Sequence, residues 1–130
     1  MIIVDDKLSL DALAGRLVRA EPVATTWSFH YRLLRALRDE TRWGALTRAA
    51  TAEALHLAAD PPRARLQVLD PRVVTDEAAL LAARHGLNVL AAELMAAAKH
   101  HAAAVHLSTP NVGRRWPEVM EAEGIALTVA

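Results

Sequence analysis

The residues Ile2-Ile3-Val4 run directly into Asp5-Asp6. Three consecutive branched apolar residues, with no polar residue alternating between them, read as a strand covered on both faces. That burial occurs where helices flank a parallel sheet. In open α/β sheets the crevice outside the carboxyl ends of the strands is where ligands bind, so a pair of carboxylates at this point is a candidate site. Asp5 also has a simpler role open to it, because aspartate commonly ends strands and caps the helix that follows.

The rest of the chain alternates in the same way. Leu8, Leu10, Leu13 and Leu17 recur at helical spacing to about residue 19, before Pro22. A threonine of Thr25-Thr26 can cap a second helix through TWSFHYRLLRAL, and an alanine-rich helix is expected over 45–58, stopped by Asp60-Pro61-Pro62. LQVL at 66–69 reads as a strand. Thr75-Asp76-Glu77 opens a helix to about His85, where Gly86 ends it; Asn88 caps the next, to about His101. AVHL at 104–107 is a strand, 112–123 a helix ended by Gly124, and IALTV the last strand. Strands alternating with helices imply parallel pairing through right-handed crossovers, hence a three-layer α/β/α sandwich with a mainly parallel central sheet. The 130 residues, 53% of them hydrophobic, suffice for one domain, 1–130.

Composition narrows the function classes. Fifteen basic residues balance fifteen acidic ones, so there is no global excess of positive charge to attract a nucleic acid. The absence of cysteine removes disulfides and thiolate metal sites, and fits a reducing compartment. No basic region precedes an apolar segment at the N-terminus, and the apolar stretch 78–98 is broken by Arg84, His85, Asn88 and Glu93. A cytoplasmic protein with no membrane partner is the expectation. The six histidines are scattered, except for adjacent His100-His101, which diverge on a helix, and no glycine-rich phosphate loop occurs.

Two families place acidic residues after such a strand. VDD, with Ser108-Thr109 in LSTP, resembles response-regulator receiver domains. That resemblance would make Asp70 the phosphate acceptor, but Asp70 comes late in the chain and no lysine follows Lys99. The more extensive resemblance is to PIN domains, the ribonuclease fold of VapC-type toxins. It is carried by MIIVD and the apolar helix after it, by VATTWSFHYRLLRAL, by the strand-helix-helix-strand run from LQVLDPRVV to HLST, and by EAEGIAL. It implies a PIN-like α/β/α fold and a homodimer. In an active member, three or four carboxylates hold magnesium or manganese ions that activate water against a phosphodiester.

Carried over position by position, the resemblance assigns the first metal ligand to Asp5. The acidic position in the second helix falls on Arg32, the one after Gly86-Leu87-Asn88 on Ala91, and the last on Thr109 or Asn111. Glu93, about 200° around the helix from Ala91, is expected to turn away from the pocket. Asp6 is expected to point away from Asp5 if strand geometry continues. Arg32 would pair with Asp5 or face solvent. The resemblance therefore implies a degenerate nuclease with no catalytic residue and no cofactor, which binds a protein partner or RNA. Its alternatives are an active magnesium- or manganese-dependent endoribonuclease of a toxin-antitoxin pair and, behind that, a receiver-like phosphoacceptor. Arg35, Arg38 and Arg42 share the Arg32 helix face and could track RNA or DNA phosphates with Trp27, Tyr31 or Trp43 stacking on bases; the favoured reading is a solvated face balanced by Asp39 and Glu40, with Trp27 and Tyr31 at i, i+4 as core aromatics.

Overall fold

A computed structural model describes residues 1–17, 19–39 and 66–130. The helix expected over 45–58, together with Glu40, Arg42 and Trp43, lies outside the described residues. The strands are β1 (Ile2–Val4), β2 (Val23–Thr25), β3 (Gln67–Val68), β4 (Ala104–Leu107) and β5 (Leu127–Val129). The helices are α1 (Asp6–Leu13), α2 (Trp27–Arg38), α3 (Thr75–His85), α4 (Val89–His100) and α5 (Trp116–Ala122). All pairings are parallel and the strand order is β3-β2-β1-β4-β5.

β1 is central. Ile2, Ile3 and Val4 are at most 1% exposed, as the apolar run requires. Successive side chains of a strand point to opposite faces. Ile2 and Val4 accordingly join Leu10 and Leu13 of α1 and Leu33 and Leu37 of α2 in one core cluster. Ile3 joins Leu81 of α3, Leu94 and Met95 of α4, and Val119 and Met120 of α5 in the other. The sheet thus lies between two helical layers.

Local chemistry sets the helix ends. α1 stops at Leu13, short of the expected residue 19, because Gly15 adopts a left-handed φ of 74° that breaks the ladder. The Thr26 and Asn88 side chains accept from Phe29 N and Ala91 N, capping α2 and α4. α5 begins at Trp116 rather than 112, with Pro117 in its first turn, where a missing N–H costs nothing. β2 was implied only by the resemblance of VATTWSFHYRLLRAL to a strand-edge and helix segment: its three residues after Pro22 are too few to show a period, and their pairing with β1 makes them a strand.

Candidate functional site

The chain leaves β1 for β2 and β3 on one side, then returns to β4 on the other. This reversal of strand order lies between β1 and β4, and there the carboxyl ends of the strands open a crevice. Asp5 follows β1 and Ser108 follows β4, so the two meet across it.

Asp5 is 0% exposed. Its Oδ1 accepts from Leu8 N at 2.9 Å, the N-cap bond of α1. Its Oδ2 accepts from Ser108 N at 2.7 Å, from the Ser108 hydroxyl, and from Asn111 Nδ2 at 3.0 Å. Three donors converge on Oδ2 and one on Oδ1. Asp5 thus caps α1 with one oxygen, while its other oxygen is engaged by Ser108 and Asn111.

The chain turns into α1 at Asp6, so strand alternation ends there and Asp6 does not point away as expected. It is 4% exposed, and its Oδ1 accepts from Asn111 Nδ2 at 2.6 Å and from Lys7 N at 3.0 Å. Its Oδ2 lies 3.5 Å from Arg32 Nε. Arg32 is thus paired with Asp6, where the sequence suggested Asp5 or solvent. Its Nη2 donates to Asn111 Oδ1 at 3.3 Å, and the guanidinium lies 5.7 Å from the centroid of the Phe29 ring. Burial raises the Asp6 pKa above its ordinary value, the Arg32 charge opposes that rise, and the neighbouring Asp5 adds to it.

Asn111 ties the crevice together. Its amide nitrogen faces Asp5 Oδ2, Asp6 Oδ1 and, at 3.2 Å, Ser108 Oγ, while its amide oxygen accepts from Arg32. Asp6, Lys7, Arg32, Ser108 and Asn111 line a cavity of about 140 Å³. That is below the roughly 300–1,000 Å³ typical of small-molecule sites.

The other positions fall elsewhere. Thr109 donates its hydroxyl to Ala130 O at 2.8 Å, beside the end of β5, so Asn111 and not Thr109 occupies the crevice. Ala91 is 1% exposed and packed in the core. Glu93 is the residue that reaches α2: it is 7% exposed, accepts from Ser28 N at 3.3 Å and is hydrogen-bonded to the Ser28 hydroxyl. A carboxylate at that place neutralises the positive end of α2. Asp70 is bound by Arg72 through its side chain and backbone N–H, which holds its pKa below the ordinary value. Trp27 and Tyr31 are not core aromatics. Each is 51% exposed, and their rings stack with centroids 5.6 Å apart. Arg35 and Arg38 are also exposed.

A hard dication needs six or more oxygen ligands supplied by several free carboxylates and water. Among the described residues no group of three or more histidine, aspartate or glutamate side chains is placed to share an ion. The residues at the crevice do not fit a resident metal, because the oxygens of Asp5 are taken and a guanidinium faces Asp6.

No family model matches the chain, and no curated protein matches it. Among solved structures it is similar to the crystal structure of PAE2754 from Pyrobaculum aerophilum, with a TM-score of 0.61 and 23% identity over 97% of this chain and 89% of that one. At that identity the likeness establishes a shared α/β fold. Among the described residues, no helix is long and apolar enough to cross a membrane.

Proposed function

We propose that this chain is a PIN-like domain that has lost metal-dependent nuclease activity and acts by binding a macromolecular partner. The observation that carries this reading is that the Asn111 amide donates to Asp5 and Asp6 and the Arg32 guanidinium pairs with Asp6. A fixed amide dipole and a guanidinium stand where an ion-binding crevice would need open carboxylate oxygens. Retention of buried, fully hydrogen-bonded carboxylates then serves the architecture, by capping α1 and tying β4 to β1.

A protein partner is favoured over RNA. Arg35 and Arg38 are two exposed cations on a chain with no net charge, and a polyanion is held by many phosphate contacts at once. The receiver-like alternative draws little support. Asp70 follows the edge strand β3, separated from β1 by β2, and the strand order differs from the 2-1-3-4-5 order of flavodoxin-like folds.

The test is calorimetry with manganese. The native chain is expected to give no saturable binding, whereas Arg32→Glu with Asn111→Asp, which returns two carboxylates to the crevice, should gain it. Micromolar manganese binding by the native chain, abolished by Asp5→Asn and accompanied by metal-dependent RNA cleavage, would establish the active-nuclease alternative instead.

A further inference from the structure

One buried carboxylate is compensated differently from the rest. Asp5 is met by four donors from three residues, Asp6 lies against Arg32, and Glu123 holds Arg84, His85 and Lys99. Glu93, 7% exposed, has the backbone N–H and the hydroxyl of Ser28. Among the described residues, no cation pairs with it. The positive end of α2 supplies the equivalent of only about half a unit charge. Glutamate is almost never buried without a pairing charge, because the water it gives up is not replaced by a few neutral donors.

Glu93 also lines a cavity of about 300 Å³ between α3 and α4, in which it is the one ionisable residue. The walls include Val74, Ala78, Ala82, Leu87 and Ala92. The hollow follows from the side chains. Ala78 and Ala82 stand one turn apart on α3 and Ala92 is on α4, so single methyl groups line a space that longer apolar side chains would fill. Thr75, the other polar side chain of the lining, donates its hydroxyl to Pro71 O at 3.0 Å. An apolar chamber with a single carboxylate remains.

We propose that this cavity binds a small apolar molecule carrying one protonated amine, with the ammonium on Glu93 and the hydrocarbon body against Leu87 and the alanines. The volume stands at the lower end of the roughly 300–1,000 Å³ of small-molecule sites, which are likewise mostly apolar with a few placed polar groups. Ser28 N donates to Oε1 of Glu93 and the Ser28 hydroxyl to Oε2. Each carboxylate oxygen has a second lone pair, which the N–H donors of an ammonium can meet without displacing Ser28. An anion would face like charge, and a neutral hydrocarbon would leave Glu93 uncompensated. The cavity shares no lining residue with the crevice at Asp6 and Asn111. The inference therefore rests on neither the PIN resemblance nor the loss of a metal site, and manganese binding would leave it untouched.

Titration of the native chain with phenethylamine, phenethyl alcohol and hydrocinnamate, followed by amide NMR, tests it. The three share a hydrocarbon body and differ in charge. The amine should bind saturably, shift the amide signals of Ala78, Ala82, Leu87 and Ala92, and bind at least about tenfold more tightly than the alcohol, because a hydrogen bond between ions is stronger than a neutral one. Hydrocinnamate should not bind. Glu93→Gln, which keeps an acceptor for Ser28 N, should reduce the amine to the affinity of the alcohol. Ala82→Leu fills the cavity, leaves Glu93 in place, and should abolish binding of both. If Glu93→Gln does not fold, the three ligands on the native chain and the Ala82→Leu variant decide the matter. No saturable binding of the amine, equal affinity for amine and alcohol, indifference to either substitution, or shifts confined to residues outside the cavity would each overturn the proposal.

Discussion

Asn111 Nδ2 lies 2.6 Å from Asp6 Oδ1, joining the turn after β4 to the first residue of α1. Both residues belong to segments that leave the sheet at its carboxyl edge, so the bond fixes how the two exits stand relative to each other. Removing it takes one donor from each of two buried carboxylates and the acceptor from Arg32 Nη2. Asn111→Ala is expected to cost about 1–3 kcal/mol, the range for buried polar groups that lose a hydrogen-bond partner. Urea unfolding of the two proteins measures it, and a loss under half a kcal/mol would show that water substitutes for the amide.

Asp5 should be more sensitive still. Asp5→Ala removes a helix cap, worth about 1 kcal/mol, and leaves the buried Ser108 N–H and hydroxyl without their acceptor. A combined loss of about 3–4 kcal/mol is expected, large enough to lower the yield of folded protein. Asp5→Asn keeps one acceptor oxygen and should lose less. A smaller loss for alanine than for asparagine would contradict the cap-and-clamp role.

Two electrostatic perturbations have opposite signs. Burial raises the Asp6 pKa above 3.8, so ionising it costs the folded state more than the unfolded one. The stability that goes with its protonated form is complete below 3.8 and is lost as pH rises through the folded value. Asp6→Asn should therefore gain on the native protein as pH is raised from 3 to 7, read from denaturation midpoints. A gap that narrows over that range would reverse the assignment.

Glu123 behaves in the contrary way. The His85 hydrogen bond, aided by Lys99 and Arg84 and opposed by burial, lowers its pKa from 4.5 to about 2. Its contribution is present above about 4.5 and disappears as pH falls toward 2. Glu123→Gln should be less stable than the native protein at neutral pH, with the difference vanishing in acid. Equal stability at pH 7 would mean that the cluster linking α3, α4 and the end of α5 is held by packing alone.

Much of the fold could be read from particular residues. Ile2-Ile3-Val4 marked the central strand, Asn88 and Gly86 marked helix ends, and the alternation of elements gave the layered sheet. What escaped was mostly orientation. Phe29, Leu33 and Leu37 define the inner face of α2, and Trp27 stands about 200° from Phe29, so its exposure could have been found from that arc rather than from its spacing to Tyr31. The angle of Glu93 from Ala91 could not name its partner, Ser28, which lies 65 positions away in sequence. The partnership of Asn111 with Asp6 depends on two chain exits meeting in space, and no local pattern encodes that.

The central place of β1 has a consequence for how the molecule is made. Its neighbour β4 and the Ser108 donors to Asp5 arrive 103 residues later in the chain. A polypeptide synthesised from its N-terminus therefore carries this apolar strand with one edge unpaired until β4 is made. Such an edge is a template for pairing with other chains. The closing contact spans nearly the whole sequence, which makes folding slow relative to helical proteins of this size. Until β4 docks, α1 and α2 can cover one face of the strand, but its edge stays open.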